Sequence, residues 1–146
     1  MNEAELQTYL YQNIPLSQAM SVCVKSASAT SVILSAPIAP NINHHATVFG
    51  GSAATLAILS AWSLVHLRLQ IEKVDAQLVI QRSTVDYTKP IQGEFWARSH
   101  IEEEAWETFL RMFARKGKAR VRVEAVLEHA HIQVGSFSGE FVALKP

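Results

Sequence analysis

Residues 41–52, NINHHATVFGGS, gather the side chains of this chain best suited to chemistry. An imidazole titrates near neutrality, so His44 and His45 suit general base work on water. Asn43 beside them carries a donor and an acceptor, and can orient that water. Gly50 and Gly51 lead into a long apolar run of helical character, Ser52 to Gln70. At a helix start the backbone N–H groups lack intrahelical partners and the dipole is positive. A carbonyl oxygen set against them is polarised, and one preorganised donor there is worth about 3 to 4 kcal/mol in a barrier that builds negative charge. Glycine lets a substrate approach with no Cβ in the way. Ser52 is read as an N-cap residue rather than a nucleophile, and borders whatever binds at Gly50.

Between Glu5 and Glu72 there is no Asp or Glu. A carboxylate base on the apolar helix is therefore excluded. The base has to be His44, His45, or a group from the later strands such as Asp86. His44, His45 and His66 match no compact ligand spacing, so no metal is expected.

These residues need elements to hold them. Residues 2 to about 12 place Ala4, Leu6, Tyr9 and Leu10 near one helical face, with Pro15 closing the segment. MSVCVKSAS and TSVILSAP read as a hairpin stopped by Pro37 and Pro40. The run Ser52 to Gln70 is apolar on every side, so it must be buried on every side, as the axis of the fold. Strands are expected in AQLVIQRSTVDYT, GEFWARSHIE, KARVRVEAVLEHA and HIQVGSFSGEFVAL. The alternation Arg120, Val121, Arg122, Val123, Glu124 marks a sheet with one dry and one wet face. Trp106, Phe109, Leu110 and Phe113 recur at helical spacing in an inserted surface helix. The order is α+β, one curved antiparallel sheet around one long helix.

With 146 residues and 49% apolar side chains, a single domain over 1–146 is expected. Thirteen basic residues balance thirteen acidic ones, which argues against nucleic-acid binding through bulk charge. Val48 to Val65 is uncharged and long enough to cross a membrane. A buried core helix is the better reading, because the strands need something to pack against. The lone Cys23 and the polar start MNEAELQTYL fit a cytoplasmic protein.

Two segments resemble the hot-dog thioesterase superfamily: NINHHATVFGGS with its apolar helix, and VDYTKPIQGEFWARSHI, similar to a strand, aromatic, Pro, Gly, strand signature. The phenylacetyl-CoA thioesterase type has an Asn, six residues on a His-Gly-Gly, and an acid seven residues beyond the second Gly. Asn43 and Gly50-Gly51 match that pattern; Phe49 stands at its His and Ile58 at its acid. The nearer resemblance is to bacterial thioesterase-like domains, some fused behind an N-acetyltransferase domain, with counterparts of GKARV and FSGEFV as well. It covers the chain from about Pro15.

The resemblance implies a hot-dog fold that hydrolyses acyl-CoA or acyl carrier protein thioesters, with no cofactor beyond the CoA of the substrate. It also implies a homodimer or a dimer of dimers, with ligand sites between subunits. Six of the thirteen basic residues lie between Arg111 and Arg122. Arg115, Lys116 and Lys118 are thus candidates for the phosphates of CoA, with a solvated surface balanced by Glu102, Glu103, Glu104 and Glu107 as the alternative. A dehydratase ranks lower because its helix acid has no counterpart, and the same pocket without turnover would make an acyl-CoA binding or sensing module.

Overall fold

The computed structural model describes residues 1–146. Helix α1, Glu3–Asn13, begins with a reciprocal cap in which the Asn2 side chain accepts from Glu5 N–H and the Glu5 carboxylate accepts from Asn2 N–H. Pro15 ends it and also opens a second short helix, α2, Pro15–Ala19, which the sequence reading had left out. Proline at the first helical position loses only an N–H that would have no partner anyway. Strands β1, Cys23–Ala27, and β2, Ser31–Ala36, make the expected hairpin. A 3-10 turn over Ala39–Asn41 then leads into the loop before α3, Gly50–Ile71.

The remaining elements are β3, Gln77–Tyr87; β4, Phe95–His100; α4, Glu103–Lys116; β5, Lys118–His129; and β6, Ile132–Leu144. Six strands form one antiparallel sheet in the order β1-β2-β4-β5-β6-β3. Register shifts at Val24/Ser26, Ile80/Arg82 and Leu127/Glu128 add twist and help the sheet curl. Helix α3 touches β2 through β6. This is the α+β hot-dog architecture.

The helix lies close to the sheet because buried serines stand among its large residues. Ser60 Oγ donates to the carbonyl of Val32 at 2.8 Å, and Ser99 Oγ donates to the carbonyl of Ser60 at 3.0 Å. Length and composition alone would let α3 cross a membrane, but 67% of its apolar window is buried inside the fold. At the far end of α3 the buried Arg68 guanidinium donates to Glu103 at 2.9 Å and to the carbonyl of Ala29 at 2.7 Å, and lies 4.7 Å from the Trp106 ring centre. One side chain thereby fixes the β1–β2 turn and α4 to the C-terminal end of α3.

Strand β3 is the exception to this burial. It forms one edge of the sheet, has β6 as its sole strand partner, and is exposed along nearly its whole length. Val79 and Ile80 are 50% and 37% exposed. A long edge strand with free N–H and C=O groups is a template for another strand.

Candidate functional site

Helix α3 starts at Gly50, two residues earlier than expected, with Phe49 as its N-cap. Ser52 is therefore not the cap. It is the third residue of the first turn, and its N–H donates to the carbonyl of Phe49 at 2.9 Å, as does that of Ala53 at 3.2 Å. The N–H groups of Gly50 and Gly51 have no acceptor within the chain. Two free donors thus stand at the positive end of a 22-residue helix.

Of the two, Gly51 borders a cavity of about 360 Å³. Leu16, Met20, Asn41, Phe49, Ser52 and Thr55 line it together with Gly51. Its wall is apolar where α2 meets the loop, and Leu16 and Phe49 are left more than half exposed. The Phe49 ring also occupies the place of a side chain at position 51, since a Cβ there would lie 2.5 Å from Phe49 Cε2. Glycine at 51 thus serves the seating of Phe49 as well as open access from the cavity.

Asn43 is turned into its own loop. Its Oδ1 accepts from the N–H groups of His45 at 2.9 Å and Thr47 at 3.1 Å, and its Nδ2 donates to Thr47 Oγ1 at 2.9 Å. These bonds hold the tight 43–47 turn, in which Ala46 takes a positive φ of 60°. The rings of His44 and His45 stand against each other with centres 3.8 Å apart, both exposed. Neither is among the residues lining the cavity at Gly51.

Asp86 lies on β3, where alternation sends Val85 and Tyr87 to one face and Asp86 to the other. It lines a polar groove with Arg82, Thr84 and Arg122. One chain therefore does not bring Asp86 to the glycine pair. Its neighbour Tyr87 does reach it, donating from its hydroxyl to the carbonyl of Gly50 at 2.9 Å.

The basic residues divide. Lys116 and Lys118 line a groove of about 850 Å³ between α4 and β5, together with Arg120 and Arg122 and with Glu102 and Glu104 at its side. Arg115, in the last turn of α4, is exposed and does not line it. Lys118 is in register with Leu144, and Leu144 with Gln77, at the opposite end of β3 from Tyr87. At about 3.3 Å per residue the strand separates the two ends by about 33 Å. Within one chain the Lys118 end of the groove is thus far from Gly50.

Sequence reasoning missed Asn41 and Tyr87. Asn41 is buried; its Nδ2 donates to the carbonyls of Pro37 at 2.7 Å and Met20 at 3.0 Å, while its buried Oδ1 has no donor. A turn-forming Asn next to Pro40 looks like any loop residue until the fold closes over it. Tyr87 lay within the strand signature, but nothing in the spacing indicated contact with the glycine pair.

A curled six-stranded antiparallel sheet around a buried helix defines the hot-dog class. Residues 3–145 match the family described as "Putative thioesterase (yiiD_Cterm)", and the chain belongs to that family. It is similar to a protein of unknown function from Chlorobaculum tepidum TLS, at 31% identity over 99% of this chain and 94% of that one, with a TM-score of 0.91. A "putative thioesterase" from Shewanella oneidensis is 29% identical over 97% of this chain and 96% of its own, with a TM-score of 0.88. A Pseudomonas aeruginosa protein described as a "Probable Thioesterase" shares the fold, with a TM-score of 0.84 at 19% identity over 98% and 96% of the two chains.

Proposed function

We propose that this chain hydrolyses acyl-CoA thioesters as a homodimer paired along β3. The observation that carries the reading is the pair of unpartnered N–H groups at Gly50 and Gly51, the second of them at a cavity where Leu16, Met20 and Phe49 stand with Asn41, Ser52 and Thr55. Water attack on a thioester carbon moves charge onto the carbonyl oxygen, and donors held in advance stabilise that charge. The oxyanion lies against the Gly50 and Gly51 amides, and the thiolate of CoA leaves. The base is His44 or His45, because α3 carries no acid and Asp86 faces the other side of the sheet. Asn43 sets the turn that presents both rings. CoA enters as part of the substrate, and no separate cofactor or metal takes part.

The dimer accounts for the distance between the two halves of the site. Antiparallel pairing of two β3 edges sets Tyr87 of one chain beside the partner's Gln77, the end of the strand in line with the partner's Lys118. The basic groove of one chain then supplies phosphate contacts for a thioester held at the glycines of the other. The same geometry suits an acyl carrier protein, whose prosthetic arm also ends in a thioester.

A second reading has one observation in its favour: no titratable side chain lines the cavity at Gly51. On that reading the pocket binds acyl thioesters without turnover. Thiol release from short, medium and long acyl-CoAs separates the two, with saturable release expected. Binding without release from any of them selects the binding module.

A further inference from the structure

The positions of α3 that stay partly open include Gly51, Thr55, Ile58, Trp62 and His66, which recur every three or four residues. They make one stripe that starts at the cavity and runs down the helix. Its lower half is closed. The rings of Trp62 and His66 stack with centres 4.7 Å apart, and Tyr9 of α1 stacks on His66 at 4.7 Å and on Trp62 at 6.2 Å. Trp62 Nε1 also donates to the carbonyl of Leu78 on β3 at 3.3 Å. The indole therefore bridges from α1 on one side to β3 on the other, across the path of anything lying along the stripe.

From these contacts we infer that Trp62, backed by Tyr9 and His66, sets the length of acyl chain the protein accepts, at about eight carbons. The inference rests on the thioesterase reading and names its substrate class. Gly51 and Trp62 are eleven residues apart, about 16 Å along the helix at about 1.5 Å per residue. Helical side chains lean toward the N-terminus, so the indole covers the turn before its own Cα. By the same helical rise about 10 Å of open stripe remains past Thr55 and Ile58, the length of about eight carbons in an extended alkyl chain. The face it offers is apolar at Ile58 and carries the methyl of Thr55, as an alkyl chain requires. Trp62 is held by a hydrogen bond and two ring contacts, so a longer chain cannot displace it without breaking all three.

The test compares kcat/KM over saturated acyl-CoAs of four to sixteen carbons in the wild-type protein and Trp62→Ala. In the wild type the value should rise to about eight carbons and fall at least about tenfold by twelve, since methylenes that meet the indole instead of open surface discriminate on that scale. In Trp62→Ala the optimum should move to longer chains, with the twelve-carbon substrate gaining about tenfold or more over the wild type. Such a gain cannot arise from misfolding. Tyr9→Ala, which leaves the hydrogen bond to Leu78, should shift the optimum in the same direction by less. A folded Trp62→Ala with the wild-type length profile would overturn the inference and leave the thioesterase reading standing. If the wild type releases no thiol at all, that reading fails, and calorimetric binding of the same series decides the length limit. An affinity maximum near eight carbons that moves in Trp62→Ala supports it; one that does not move overturns it.

Discussion

The hydroxyl of Tyr87 donates to the carbonyl of Gly50 at 2.9 Å, joining the last residue of the sheet's edge strand to the first residue of the central helix. The bond orients the peptide plane that follows Gly50, and with it the Gly51 N–H. Tyr87→Phe should therefore lower kcat by about fivefold to tenfold while KM and melting temperature change little. A lost hydrogen bond at an exposed site costs only about 1 kcal/mol of stability. Steady-state kinetics beside a thermal melt check this, and an unchanged kcat would reduce the bond to a surface contact.

Gly51→Val is expected to remove turnover from a folded protein. The new side chain meets the Phe49 ring, which is 57% exposed and can swing aside, so the clash need not unfold the helix start. The valine methyls would then stand over the free amides. Phe49→Ala with Gly51→Val removes the ring conflict and should remain inactive. Activity regained in that double variant would assign the glycine to the seating of Phe49 alone.

A histidine base works only when neutral, so kcat/KM should be lost on acidification. One of His44→Gln and His45→Gln should lose on the order of a hundredfold in rate, the usual share of general base catalysis. Full activity in both variants with loss in Asp86→Asn would move the base to β3, with the partner chain's strand as its route to the site.

Burial lowers the pKa of His66 below the ordinary 6.5, and its Nε2 has no partner. The unfolded chain therefore takes up a proton at a pH where the folded protein does not, and stability is lost as pH falls from about 6.5 toward the lower folded value. Thermal melts in that window should show His66→Phe losing less stability on acidification than the wild type. Parallel slopes for the two proteins would contradict the assignment.

Much of the fold was legible because it rests on periodicity. A run apolar all round, from Ser52 to Gln70, has to be buried on every side, and the alternation from Arg120 to Glu124 appears as written in the burial of β5. Helix α2 was missed because Pro15 ends one helix and starts another, and the residue alone does not say which. At the site, the glycine pair at the helix start was readable from local pattern. The rest depended on contacts distant in sequence: Tyr87 meets Gly50 across 37 residues, and Asn41 reaches Met20 across 21. The basic cluster was found by counting charges, but its distance from the glycines is set by strand register. No single-chain pattern carries that information.

A site built from two chains predicts complementation between two inactive variants. One chain carries Gly51→Val; the other carries Lys116→Glu with Lys118→Glu, which removes phosphate contacts but leaves the helix start intact. Homodimers of either should hydrolyse acyl-CoA poorly. When the two are coexpressed with different tags and the mixed dimer is isolated, one of its two sites pairs an intact helix start with an intact basic groove. Its rate per dimer should approach about half that of the wild type, as one good site of two requires. A mixed dimer no more active than its two parents would place glycines and lysines in separate functions and contradict the shared site.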